Sequence, residues 1–288
     1  MSSAEVEAQF RQYSDQLTPT SGKRFVAFDG KVLRGSFDHF QDQKARQILS
    51  AFVTDSRIIL AHEEIAAQTN EIPTAQELIL TLGLSGCIFT FDAVHCQEKT
   101  LEAAKATDNE VIVQVKANQK TLFQDCQVTA ETRLPDAVYQ EPVTQAHHRI
   151  ESRQVAVFTH LTLSDSTKWQ WVEAIVKVER SRQVFDTRAK RWCASSETAF
   201  YIATTVLSAE GFCQAIRRHW DIENGNHYVR DVTLGEDKSR IRDHPHLFAK
   251  LRSFALNILR ANHVQNVSLE LFANCMDLNR VLNYVGVS

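Results

Sequence analysis

Short apolar runs separated by polar turns dominate the first half of this chain, and helical spacing dominates the last third. The stretch "RFVAFDGKVLRGS" at 24–36 begins apolar and runs into a carboxylate, two glycines and two cations. "QILSAFVTD" and "IILAHEEIA" follow as two further apolar runs, divided only by Ser56 and Arg57. Runs of this length, bounded by turn residues, predict buried strands, and three in succession predict an antiparallel meander whose first strand is Phe25 to Asp29. "TAQELILTLGL" then changes to helical spacing, with Thr74 as its cap. "GCIFTFDAV" returns to a buried strand, "QEKTLEAAKATDN" predicts a helix and "EVIVQVKANQ" another strand.

Three strands, helix, strand, helix, strand is the element order of a ribonuclease-H-like α/β core, in which acids collect at the ends of adjacent strands. Residues 125–200 read differently. "HHRIESRQVAVFTHL", "WQWVEAIVKVERSR" and "ETAFYIATTVL" have no long helical stretch and predict a β-rich insertion before the last helices. Inside it, "FDTRAKRWCASSE" holds Arg188, Lys190 and Arg191 with few apolar neighbours, and predicts a solvated loop or a DNA contact. The expected organisation is therefore a helical lead-in at 1–22 closed by "TPTSG", a core from 23 to 124, the β-rich insertion at 125–200, and core completion with C-terminal helices at 201–288. In the last part, positions 251, 255, 258 and 259 predict the apolar face of one helix.

Composition narrows the class. The 288 residues are 43% hydrophobic and 23% charged, an ordinary balance for a globular chain with one large core. Apolar runs are far shorter than the roughly 20 residues that span a bilayer, which predicts a cytoplasmic protein with no membrane partner. Six cysteines show no C-x-x-C pairing and are expected as buried free thiols. Cys213, His219 and His227 match no common zinc spacing. A net charge of −3 means that any nucleic-acid contact is local, since phosphate binding requires a concentration of Lys and Arg.

Three carboxylates on separate elements carry the chemistry: Asp29 in "FVAFDG", Asp92 in "IFTFDA" and Glu223 on a helix. Taken singly, an aspartate at a strand end also caps the turn that follows, and that reading stands beside the catalytic one. Taken together, converging carboxylates are what hard divalent ions require, with water and a phosphate oxygen completing the shell. Helical geometry around Glu223 places Ile216, His219, His227 and Arg230 on its face, an inward polar stripe with cations set toward phosphate. Asp231 and Asp237 follow as further acids.

The motifs "AFDGKVLRGS", "TFDAVHCQ", "VKANQ", "HHRIESR" and "RRHWDIENGNHYVRDVTLGEDKSRIR", in this order from about residue 23 to 262, resemble the ISAs1-type insertion-sequence transposases of the IS4-like Asp-Asp-Glu group. The resemblance implies a DNA transposase, with Asp29, Asp92 and Glu223 as the catalytic and metal-binding triad for Mg²⁺ or Mn²⁺, as two ions. It implies DNA contacts from Lys31, Arg34, Lys116, Asn118, Arg149, His219, His227, Arg230, Lys238 and Arg240, a homo-oligomer on double-stranded DNA, and association with the bacterial nucleoid. In the wider group the helix carries Tyr, Arg, Glu and Lys where Ile216, His219, Glu223 and Arg230 stand here. Relatives of this kind carry a further helical region ahead of the first aspartate motif. Only 28 residues precede Asp29, so a partner protein is expected to supply end recognition. The alternatives are a domesticated metal-dependent nuclease without transposition and a catalytically dead DNA-binding remnant.

Overall fold

The computed structural model of the chain describes residues 3–18, 24–37, 44–66, 70–146 and 148–285. The predicted close of the first helix falls, from residue 19 on, outside them. The fold is α/β. Its elements are α1 (Ser3–Gln16), β1 (Phe25–Val32), β2 (Gln47–Val53), β3 (Ile59–Ile65), α2 (Glu71–Thr81), β4 (Ile88–Phe91), α3 (Glu98–Ala106), β5 (Glu110–Val115) and α4 (Lys120–Thr132). Strands β6 (Ala137–Gln140), β7 (Thr144–Ala146), β8 (Arg149–Phe158), β9 (Ala174–Asp186) and β10 (Arg191–Ala203) follow, then α5 (Ala209–His219), α6 (Pro245–Ala261), α7 (Val267–Met276) and α8 (Leu278–Leu282). Up to β5 the order is the ribonuclease-H-like one, and β6–β10 form the β-rich stretch ahead of Glu223.

Two compact units divide the chain, Met1–Ile88 with Arg218–Ser288, and Phe89–Arg217. In the first, β1 pairs antiparallel with β2, and β2 with β3. Val26, Ala27 and Phe28 are buried in succession, and β2 is buried from Ile48 to Val53, so these strands are covered on both faces. Phe10, Ala27, Phe52, Ile59, Ile222, Leu256, Leu259 and Val267 form one apolar cluster joining α1, the meander, α6 and α7. In the second unit, β5 pairs with β10, β10 with β9, β9 with β8, and β8 with β6 and β7, all antiparallel.

Several local expectations are corrected. Strand β1 does not end at Asp29 but continues to Val32, because Asp29 to Val32 keep their ladder partners, Ser50 to Gln47, on β2. The cap of α2 is Asn70, whose side chain accepts from Ile72 N at 3.0 Å; Thr74 lies a turn inside. The cationic stretch around 188–191 is a hairpin tip rather than a long loop. Asp186 Oδ1 accepts from Arg188 N at 2.8 Å and Ala189 N at 2.9 Å, and the ladder resumes at Arg191 opposite Asp186. Backbone pairing, the Arg180–Glu197 ion pair and the Phe185–Trp192 ring contact sustain these strand ends while residues 191–198 are exposed, so no apolar pattern marked them. Cys87, Cys96, Cys126 and Cys213 are buried, but Cys193 and Cys275 are exposed.

The packed face of α6 also differs from the predicted one: Leu251 is 50% exposed, whereas Ala249, Lys250, Ser253, Leu256, Asn257 and Leu259 are buried. Its polar members are satisfied internally. Asn257 Oδ1 accepts from Ile59 N at 2.9 Å, and its Nδ2 donates to Ile59 O at 2.8 Å and Ser14 Oγ at 3.1 Å. One side chain thereby locks α6 to β3 and α1. Asn257→Ala is expected to lower unfolding stability by about 2–4 kcal/mol, since it strands a buried N–H and C=O and opens a void; urea denaturation measures the change, which a near-neutral result would exclude.

Candidate active site

Asp29 and Lys31 are two residues apart on β1 and so project from the same face of the strand. That face meets the segment following α5. His227 Nδ1 lies 3.4 Å from Asp29 Oδ2, and Lys31 Nζ bonds Asp231 Oδ1.

The segment itself is π-helical at Ile222–His227 and Val229–Thr233, with i to i+5 bonds from Tyr228 N to Glu223 O and from Leu234 N to Val229 O. This corrects the α-helical stripe. The wider turn leaves Glu223 exposed, His219 half-buried, and Ile216, Asn226, His227 and Arg230 buried. Burial, then Arg230 and Lys31, holds the His227 pKa well below the ordinary histidine value. Its contact with Asp29 is thus made by a neutral imidazole, and His227 is no phosphate-binding cation.

Two further cations are corrected in the same way. Arg230 is 0% and Lys31 6% exposed. Arg230 NH2 donates to Glu236 Oε1 at 2.8 Å, and Lys31 Nζ lies 3.7 Å from Glu236 Oε2 and 3.9 Å from Asp237 Oδ1 as well as bonding Asp231. Buried charges require partners, and these have taken acids of the chain itself. Burial and the neighbouring Asp231 push the Asp237 pKa up. Both amide atoms of Asn226, His227 Nε2, and Arg230 Nε and NH1 are buried without a hydrogen-bond partner. Behind Asp29, its cross-strand neighbour Ser50 contacts His62 Nδ1 at 2.9 Å, and His62 Nε2 contacts Ser253 Oγ at 2.6 Å.

Other cations of this unit are accessible. Arg34 is exposed and 3.5 Å from Asp237, and Lys238 and Arg240 are exposed beyond it. Gly35 lets these segments meet, because a Cβ there would stand 1.8 Å from Ser239 O.

In the second unit, exposed Asp92 follows β4 and caps a short 3₁₀ turn, its Oδ1 accepting from Val94 N at 3.1 Å. The capping reading is therefore realised at one of its oxygens. The loop after β5 is tied to the same turn: Asn118 Nδ2 donates to Ala93 O at 2.7 Å and Gln119 Nε2 to Cys96 O at 2.8 Å, with Lys116 exposed beside them. Arg149 is exposed at the start of β8 and bonds Glu151.

Asp29, Asp92 and Glu223 offer only hard oxygen donors, the chemistry that suits Mg²⁺ or Mn²⁺. Such ions keep several waters and take one or two carboxylates beside substrate phosphates, so carboxylates of this chemistry fit such an ion without a closed cage of side chains. Among the described residues no three His, Cys, Asp or Glu side chains are gathered to hold a metal. Sequence reasoning missed Asn226, Glu236 as the partner of Arg230, and the π-helical register. The density of opposite charges in "RDVTLGEDKSR" was the available signal for the first ion pairs.

The chain matches the family model described as "Transposase DDE domain" over residues 20–259. It is 29% identical over 257 residues to "Putative protein YbfL" of Escherichia coli (strain K12), covering 87% of this chain and 68% of that protein. It is also 29% identical over 254 residues to "H repeat-associated putative transposase YhhI" of the same organism, covering 86% and 67%. It thus spans about two thirds of these relatives. Among solved structures it is similar to the piggyBac transposase in a synaptic complex with hairpin DNA, with a TM-score of 0.46 and 8% identity over 92% of this chain and 54% of that one.

Burial, reinforced by Arg230, Lys250 and His227, also lowers the His62 pKa well below its ordinary value. Its unfolded form takes up a proton near pH 6.5 while the folded form does not. Stability is therefore retained above about pH 6.5 and falls below it, by up to ~1.4 kcal/mol per pH unit for this histidine. Urea midpoints at pH 7.5, 6.5 and 5.5 measure this, and His62→Gln is expected to flatten the acid limb by that slope.

Proposed function

Because the chain belongs to the transposase DDE-domain family, we propose that it cuts and joins double-stranded DNA with Asp29, Asp92 and Glu223 as its reactive carboxylates. The carrying observation is the extent of the match: residues 20–259 contain all three acids. The five ordered motifs support the ISAs1 type within that family. No helix among the described residues is long and apolar enough to cross a membrane.

In this reading Asp29, Asp92 and Glu223 hold divalent metal, with Mg²⁺ or Mn²⁺ as a pair the finer form of the proposal. When bound, the metal supplies Lewis-acid activation of an attacking oxygen and charge stabilisation of the leaving one. The chain's residues do the rest. His227, a neutral imidazole, contacts Asp29 and helps hold its carboxylate in place. Asp92 is held by the Val94 N–H at one oxygen and presents the other. Arg34, Lys238 and Arg240, exposed in the unit that carries Asp29 and Glu223, neutralise backbone phosphates, and Lys116 and Arg149 extend the contact from the other unit. Water attacks a phosphodiester in line and its P–O3′ bond breaks, leaving a 5′-phosphate and a free 3′-hydroxyl; that hydroxyl attacks a second phosphodiester, whose own P–O3′ bond breaks and releases a 3′-hydroxyl as the strands join, with no covalent protein intermediate. Oligomerisation on DNA belongs to the same proposal.

Supercoiled plasmid incubated with the purified chain and Mn²⁺ or Mg²⁺ tests it. Nicking is expected, abolished by chelation and reduced about a thousandfold or more in Asp92→Ala and Glu223→Ala. A precut duplex with a free 3′-hydroxyl is expected to join target DNA; cleavage without joining would make the protein a nuclease. Absence of nicking by folded wild type with either metal would defeat the proposal.

A further inference from the structure

The π-helical register that turns Glu223 outward is held from outside by one side chain. Arg260, in the last turn of α6, donates from NH1 to Arg57 O and from NH2 to Gly225 O. Arg57 lies in the tight β2–β3 turn with a left-handed φ of 59°, and Gly225 lies two residues after Glu223 inside the π-helical turn. The guanidinium stands 5.6 Å from the centroid of the buried Phe52 ring, which backs it with a cation–π contact. Burial draws its pKa down to about 9, which leaves it charged at neutral pH.

A π-helical turn is a rare local conformation that persists where surrounding structure over-determines it. An α-helical register across 222–230 would place Glu223, His227 and Arg230 on one face. Here Glu223 is exposed while His227 and Arg230 are buried, so the register separates the Glu223 carboxylate from His227, which contacts Asp29, and from Arg230, which pairs with Glu236. Arg260 reads the register through a backbone carbonyl. Its planar fork engages two carbonyls at once, and a lysine at the same position has no such fork. The far end of the brace is rigid, since Asn257, one turn earlier on α6, is bonded to β3.

We propose that Arg260 is a positioning residue for Glu223, fixing the π-helical turn by bridging the Gly225 and Arg57 carbonyls. The proposal rests on Glu223 being a reactive carboxylate, and one arm of its test does not. Amide hydrogen exchange in the full chain is compared for wild type, Arg260→Lys and Arg260→Met. Exchange across 222–234 is expected to rise about tenfold or more in both variants while the β9–β10 hairpin is unchanged. In plasmid nicking, kcat is expected to fall about tenfold or more with KM for DNA within about twofold, the signature of a misplaced group rather than lost binding. Arg260→Lys keeps the charge and guards against a Met variant that fails to fold. Wild-type exchange in a folded Arg260→Lys variant would overturn the positioning role. Faster exchange with an inactive wild type would keep the structural role of Arg260 and defeat the catalytic reading instead.

Discussion

A buried charge without a partner costs several kcal/mol, and the first unit of this protein buries three in one place. Arg230, Glu236 and Lys31 are 0%, 3% and 6% exposed. None is tolerable alone, so β1 and the segment 229–238 fold as a pair or not at all. Arg252, 3.8 Å from Glu236, brings α6 into the same network. Gly35 belongs to this constraint, for any larger residue would hold the two segments apart.

This ionic contact sets the surroundings of the candidate acid Asp29. Since Lys31 must reach Asp231, Asp29 two residues earlier is brought to His227, and the neutral imidazole follows from the two cations beside it. The π-helical turn then settles which side chains face inward. Asn226, His227 and Arg230 go in, with several polar atoms unpartnered, and Glu223 goes out. Unpaired buried polar atoms are unusual and costly, and their concentration beside Asp29 is consistent with structure maintained for chemistry rather than for stability.

The order of strands and helices was legible because buried strands write themselves as apolar runs, as in "FVAF", "IFTF" and "VIVQV". Asp29 and Asp92 were legible because each directly follows such a run, and Glu223 because of the polar residues spaced around it on a helix. Three things were hidden. The hairpin β9–β10 extends into exposed, largely polar sequence, where backbone pairing is joined by an Arg180–Glu197 ion pair and a Phe185–Trp192 ring contact rather than by a buried apolar face. The face of α6 that packs inward is partly polar, through Ser253 and Asn257, and a reading by hydrophobic period selected Leu251 instead. The π-helical register changes which residues share a face without changing composition, and the partners that Lys31, His227 and Arg230 take inside the protein could not be read from an α-helical period.

On the proposed reading, Asp29 and Glu223, set by β1 and the π-helical turn, hold a divalent cation. Mn²⁺ binding followed by the paramagnetic resonance of the free ion tests it without reference to DNA. The account predicts binding by the wild type, weakened about tenfold or more in Asp29→Ala and in Glu223→Ala, and unchanged in Lys238→Ala. Equal Mn²⁺ affinity in the wild type and both carboxylate variants would contradict it.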